Sequence, residues 1–82
     1  MPSLSPVQAA LGAEVRSIRE RRGLSQEDLA DLANLHRNHV GLIERGEIDI
    51  GLSRLVQLAH ALGVPAASLV AVAERATVDA EG

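Results

Sequence analysis

The sequence has no cysteine, no aromatic residue and no lysine. Without cysteine there is no disulfide, thiolate metal site or cysteine nucleophile, a composition that suits a reducing compartment. Without aromatics the core has to be built from Leu, Val, Ile and Ala, and the protein is nearly invisible at 280 nm. No stretch approaches the roughly 18–20 apolar residues that span a bilayer, and no basic segment followed by an apolar run opens the chain. A cytoplasmic protein with no membrane contact is expected. Nor does the sequence hold a nucleophile with a base and an orienting group, a glycine-rich phosphate loop or paired carboxylates, so neither an enzyme nor a cofactor is expected. His36 and His39 lie three apart with Glu44 beyond them. Zinc wants three or four converging ligands, and no cysteine or acidic cluster completes the set, so no metal site is expected.

A net charge of −3 argues, taken globally, against a nucleic-acid partner. Its distribution argues otherwise. Residues 1–46 carry six acids and six arginines, whereas residues 47–82 carry five acids against Arg54 and Arg75, which accounts for the whole deficit. All eight basic residues are arginine, whose planar fork suits bidentate contacts to phosphate and guanine. At 82 residues the chain makes one small domain, in which apolar burial through dimerisation would add to a modest core.

Ser5, Pro6 and Gln8 read as an N-cap, a first-position proline and a capping-box partner. Val7, Leu11, Val15 and Ile18 then recur at helical spacing, predicting a helix over about residues 6–22 that Gly23 ends. Arg21 and Arg22 fall in its last turn, where cations suit the helix dipole as well as they would suit phosphate. Residues 1–5 are read as a flexible N-terminus.

The stretch Leu24–Gly46, LSQEDLADLANLHRNHVGLIERG, organises the rest. Ser25 and Asp28 form a capping pair, Leu29, Ala30 and Leu32 give an apolar stripe, and Asn34 can take the left-handed conformation that turns the chain. A second short helix over about residues 36–45 turns Val40 and Ile43 inward. Asn38, Gly41, Leu42 and Arg45 then point outward, with Arg37 on one flank. A solvated helix surface is usually rich in Glu, Lys and Ala; this one offers guanidinium, amide and bare backbone. Arginine reads guanine, asparagine reads adenine, and a missing side chain admits the backbone to a groove. An ordinary surface helix of weakly helical composition is the competing reading.

Several spaced motifs in this order resemble the Cro/C1-type helix-turn-helix domain of the XRE family. They are Leu11, Val15–Arg16, Ile18–Arg19, Gly23–Glu27, Leu29–Ala30, Ile43–Gly46, Leu58–Ala59 and Ala61–Val64. The resemblance implies an all-α, five-helix, lambda repressor-like fold that binds double-stranded DNA and regulates transcription. By matching positions it implies base contacts from Arg37, Asn38, Gly41 and Leu42. It implies phosphate contacts from Gln26, His36 and Arg45, and a structural ion pair between Arg19 and Glu44. Gln26 opens a helix whose N-terminus already favours anions. Leu42 could meet a thymine methyl or pack against the following loop. His39 stands where relatives often carry Tyr. The loop Glu47–Gly51 departs from the pattern, carrying two acids where relatives often have basic residues.

Leu52, Leu55, Leu58 and Leu62, with Ala59, form the stripe of a fourth helix that Gly63 ends, and Pro65 opens a fifth. There Leu69 and Val72 face one way and Val70 another, so all three are expected at the interface of a twofold homodimer. His60 is read as a surface or dimer-contact residue. The domain is placed at 6–74 and a flexible tail at 75–82. The small size resembles restriction–modification controller proteins and the shortest phage-type repressors alike. An antitoxin or other protein-binding module of the same fold is the alternative; whether RNA polymerase or a toxin is a protein partner is left open by the sequence.

Overall fold

Ser5 opens the first helix through its hydroxyl, which accepts from the Gln8 N–H at 3.1 Å, and Pro6 supplies the preset first turn. The computed structural model describes residues 5–81, with side chains as far as Thr77; residues 1–4 and the tail's last residue lie outside that range. Five helices follow in order: α1 (Pro6–Arg21), α2 (Gln26–Ala33), α3 (Arg37–Glu44), α4 (Leu52–Leu62) and α5 (Ala66–Glu81). The fold is the all-α, five-helix arrangement that the periodicity and the resemblance imply.

Each connection has a local cause. At α2 the capping pair is reciprocal: the Asp28 N–H donates to the Ser25 hydroxyl and the Ser25 N–H to the Asp28 carboxylate, both at 2.9 Å. Hydrogen bonding to the carboxylate by the Ser25 backbone N–H, and secondarily by its hydroxyl, holds the Asp28 carboxyl below the usual aspartate range. Helices α1 to α4 are each followed by a residue in the left-handed region, Gly23, Asn34, Gly46 and Gly63 respectively. After Gly23, Asn34 and Gly63 the next helix begins three residues later. Only the α3–α4 connection is longer, and it holds Glu47 and Asp49.

The core is aliphatic throughout. Val15 and Ile18 of α1, Leu29, Ala30 and Ala33 of α2, and Val40 and Ile43 of α3 meet Leu55, Leu58, Ala59 and Leu62 of α4. Helix α1 packs on α5 and α3, while α2 lies between α3 and α4. A fully buried Leu or Val contributes about 1.5–3 kcal/mol, and six large side chains here are wholly enclosed. Two glycines let α1 and α3 approach: a Cβ on Gly12 would overlap the carbonyl oxygens of Ile43 and Glu44, and one on Gly46 would lie 2.9 Å from the Ala9 Cα.

Four expectations need correction. Leu69 has no exposed surface: it belongs to this molecule's own core and has nothing left to offer a partner. On α2, Ala33 rather than Leu32 completes the buried stripe, because the buried arc runs from Leu29 through Ala33 to Ala30 and Leu32 falls on the other side of Leu29; Leu32 is 61% exposed. Leu52, in the first turn of α4, is exposed as well. The segment read as a tail from residue 75 continues α5 as helix to Glu81, since Ala73 is buried and no glycine or proline interrupts Ala66–Glu81.

Candidate nucleic-acid interface

The last turn of α1, the start of α2 and the end of α3 are joined by one charged network. Arg19 reaches Glu44 side-on, Nε donating to Oε2 at 2.6 Å and Nη2 to Oε1 at 3.1 Å. Its remaining nitrogen, Nη1, donates to the Leu24 carbonyl at 2.8 Å. Both side chains are buried, and the hydrogen bond to Glu44 raises the Arg19 pKa above its ordinary value against the desolvation that would lower it. The network continues outward: Gln26 Nε2 donates to Glu44 Oε1 at 3.0 Å. Gln26, at the first position of α2, is thereby held with its amide at the edge of an exposed cleft.

That cleft, of about 440 Å³, is lined by Gln26, Arg37, Asn38, Gly41, Leu42 and Arg45. It brings together six of the seven residues that the resemblance assigns to DNA. Val40 and Ile43 point the opposite way into the core, so the outward face of α3 is the cleft's wall. Arg37 and Asn38 are exposed, Leu42 is half-buried, and Gly41 forms the floor. A Cβ at Gly41 would come 3.0 Å from Arg45 Nη1, so the arginine lies close over the bare backbone there and would shift by a few tenths of an ångström to admit a side chain.

His36 lies outside the cleft and has a different local duty. It is the N-cap of α3, its Nδ1 accepting from the Asn38 N–H at 3.1 Å. The imidazole therefore fixes the first turn of the helix that presents Asn38. Three further contacts escape the sequence reading. Arg54 Nη1 donates to His39 Nε2 at 3.0 Å, tying α4 to α3, and two positions on separate helices give no local signal of such a pair. Glu27 lies 3.8 Å from Arg37. Glu47 takes Arg45 side-on, at 3.0 and 3.5 Å; its closeness in sequence was a signal, but the turn geometry that joins them was not.

The second helix of a tight helix–turn–helix pair thus presents exposed Arg37 and Asn38 beside the bare backbone of Gly41. A sequence profile of the helix-turn-helix family HTH_3 matches residues 15–69. The chain belongs to that family. Its helix-turn-helix is α2 and α3, and its relatives are helix-turn-helix transcription regulators and controller proteins. Among its relatives is the control protein C.SmaI of Serratia marcescens, 41% identical over 64 residues that cover 78% of this chain and 76% of the relative. The control protein C.BamHI of Bacillus amyloliquefaciens is 37% identical over 59 residues, 71% of this chain and 73% of the relative. The crystal structure of the restriction–modification controller protein C.AhdI from Aeromonas hydrophila superposes with a TM-score of 0.74 at 39% identity, covering 76% of this chain and 94% of that one. No single helix among the described residues is long and apolar enough to cross a membrane.

Proposed function

We propose that the protein is a sequence-specific transcription regulator that binds a pseudo-palindromic operator as a homodimer, with α3 as the recognition helix. The observation that carries this is the cleft in which Gln26, Arg37, Asn38, Gly41, Leu42 and Arg45 converge. In this reading Arg37, Asn38, Gly41 and Leu42 face base edges, and Gln26 and Arg45 lie toward the phosphates, with His36 at the margin. Two such helices in a twofold dimer enter successive major grooves about 34 Å apart, which sets the half-site spacing at one helical turn. Val70 on α5, with Leu52 and Val56 on α4, supplies exposed apolar surface for the second copy, and half-buried Val72 lies two residues further on. The similarity to C.SmaI, C.BamHI and C.AhdI supports a role as a restriction–modification controller.

The test is titration of the protein into labelled DNA from upstream of its own gene, at two salt concentrations, with random DNA as competitor. Tight binding that resists the competitor and weakens with salt is expected. Binding no better than to random DNA would overturn the regulator reading and favour the protein-binding module.

A further inference from the structure

We propose that Glu47 is a positioning residue for Arg45: it neutralises Arg45 toward phosphate and turns the arginine's free edge into the reading cleft. The inference rests on the DNA-binding reading above. It also moves Arg45 from a backbone contact to a base contact.

The backbone fixes the pair before the side chains meet. Arg45 caps α3, and Gly46 turns left-handed at φ 70°. The Gly46 N–H donates to the Ile43 carbonyl at 3.0 Å and the Glu47 N–H to the Leu42 carbonyl at 2.9 Å, the two bonds of a Schellman closure. The Ala9 backbone lies against Gly46, so the turn is buttressed from α1. Glu47 is therefore placed beside Arg45 by main-chain geometry.

The carboxylate then takes one edge of the guanidinium. Oε2 accepts from Nε at 3.0 Å and Oε1 from Nη2 at 3.5 Å. Of the five N–H groups of an arginine, two on Nη1 and one on Nη2 are left, and one from each of those nitrogens forms the end-on edge. Nη1 lies above Gly41, on the floor shared with Gln26 and Asn38. Two parallel N–H groups on one edge match the O6 and N7 acceptors of guanine in the major groove. Arg37 offers a contrast. Its partner Glu27 is 3.8 Å away and both side chains are about two-thirds exposed, so that arginine is held far more loosely.

Glu47 therefore weakens binding to DNA in general and sharpens the choice among sequences. The experiment compares wild type, E47Q, R45A, the double variant and D49N, the last removing a charge from the same loop without touching Arg45. Each is titrated with a selected duplex and a random duplex across a salt series. An exposed pair has a modest effect, so E47Q is expected to bind the random duplex about two- to fivefold tighter. Its log affinity should fall more steeply with log salt, by about one unit of slope. The selected duplex should gain less, so the ratio between the two narrows. None of this should occur when E47Q is made in the R45A background. An equal gain on both duplexes, an equal effect in D49N or in R45A, or no change at all would overturn the proposal. Failure of the wild type to bind either duplex would overturn the DNA reading itself, and this inference with it.

Discussion

Arg19 and Glu44, 25 residues apart in sequence, form a buried side-on ion pair in which Glu44 Oε1 also holds Gln26 at the lip of the α3 cleft. One pair thus links the packing of α1 against α3 to the presentation of a residue on the candidate DNA face. Removing one partner leaves the other charge buried and uncompensated, at a cost of about 3–5 kcal/mol. Chemical denaturation of E44A should show a loss of that size, and R19M/E44L should regain most of it. The double variant should still bind DNA less well, because Gln26 has lost its anchor. Full stability in E44A would show that the pair contributes nothing net.

The glycines divide into two kinds. Gly23 and Gly46 share a left-handed φ of 70°, but a side chain at Gly23 meets open space while one at Gly46 meets the Ala9 backbone. G23A should cost only the conformational strain, about 1–2 kcal/mol. G46A should cost distinctly more, as should G12A, where the obstacle is the Ile43 and Glu44 carbonyls. Urea unfolding midpoints of the three variants measure the order; equal losses at positions 23 and 46 would show that α1 and α3 can simply separate.

Asp28 gives the molecule a pH dependence of known sign. Its carboxyl is held below the ordinary range by hydrogen bonds from Ser25. A depressed carboxyl stabilises the fold above its unfolded pKa, and that contribution disappears as pH falls through the folded value. Wild type should therefore be more stable than D28N near neutrality, and the gap should close on acidification below the usual aspartate range. A gap that persists in acid would assign the effect to the shape of the side chain rather than its charge. In S25A the Asp28 carboxyl resonance should titrate at higher pH than in wild type.

Most of the helical framework is legible because short-range rules fix it. Ser5 and Ser25 are caps that operate within three residues, Asn34 and Gly63 are stops, and Val15, Ile18, Val40 and Ile43 repeat at helical spacing. The outward face of α3, whose residues line one cleft, is legible for the complementary reason: they suit neither a core nor an ordinary solvated surface. What escaped depends on longer geometry. Leu69 looked like surface because nothing local says that α1 covers α5, and Leu32 looked like core because one residue of phase decides its side. The Arg54–His39 contact joins two helices whose relative placement no periodicity encodes. The segment from residue 75 looked like tail from its small and charged residues, although nothing in it breaks a helix already anchored by Leu69 and Ala73.

On α5, adjacent residues should respond in opposite ways. Leu69 is fully buried and Val70 is 46% exposed. L69A should destabilise each molecule by about 2–5 kcal/mol, the cost of a core cavity. V70E should leave thermal stability at low concentration nearly unchanged, weaken self-association in sedimentation and, through the lost second half-site, weaken operator binding. Unaltered association in V70E would move the dimer contact to Leu52 and Val56 on α4, the other large exposed apolar side chains near this end of the sequence.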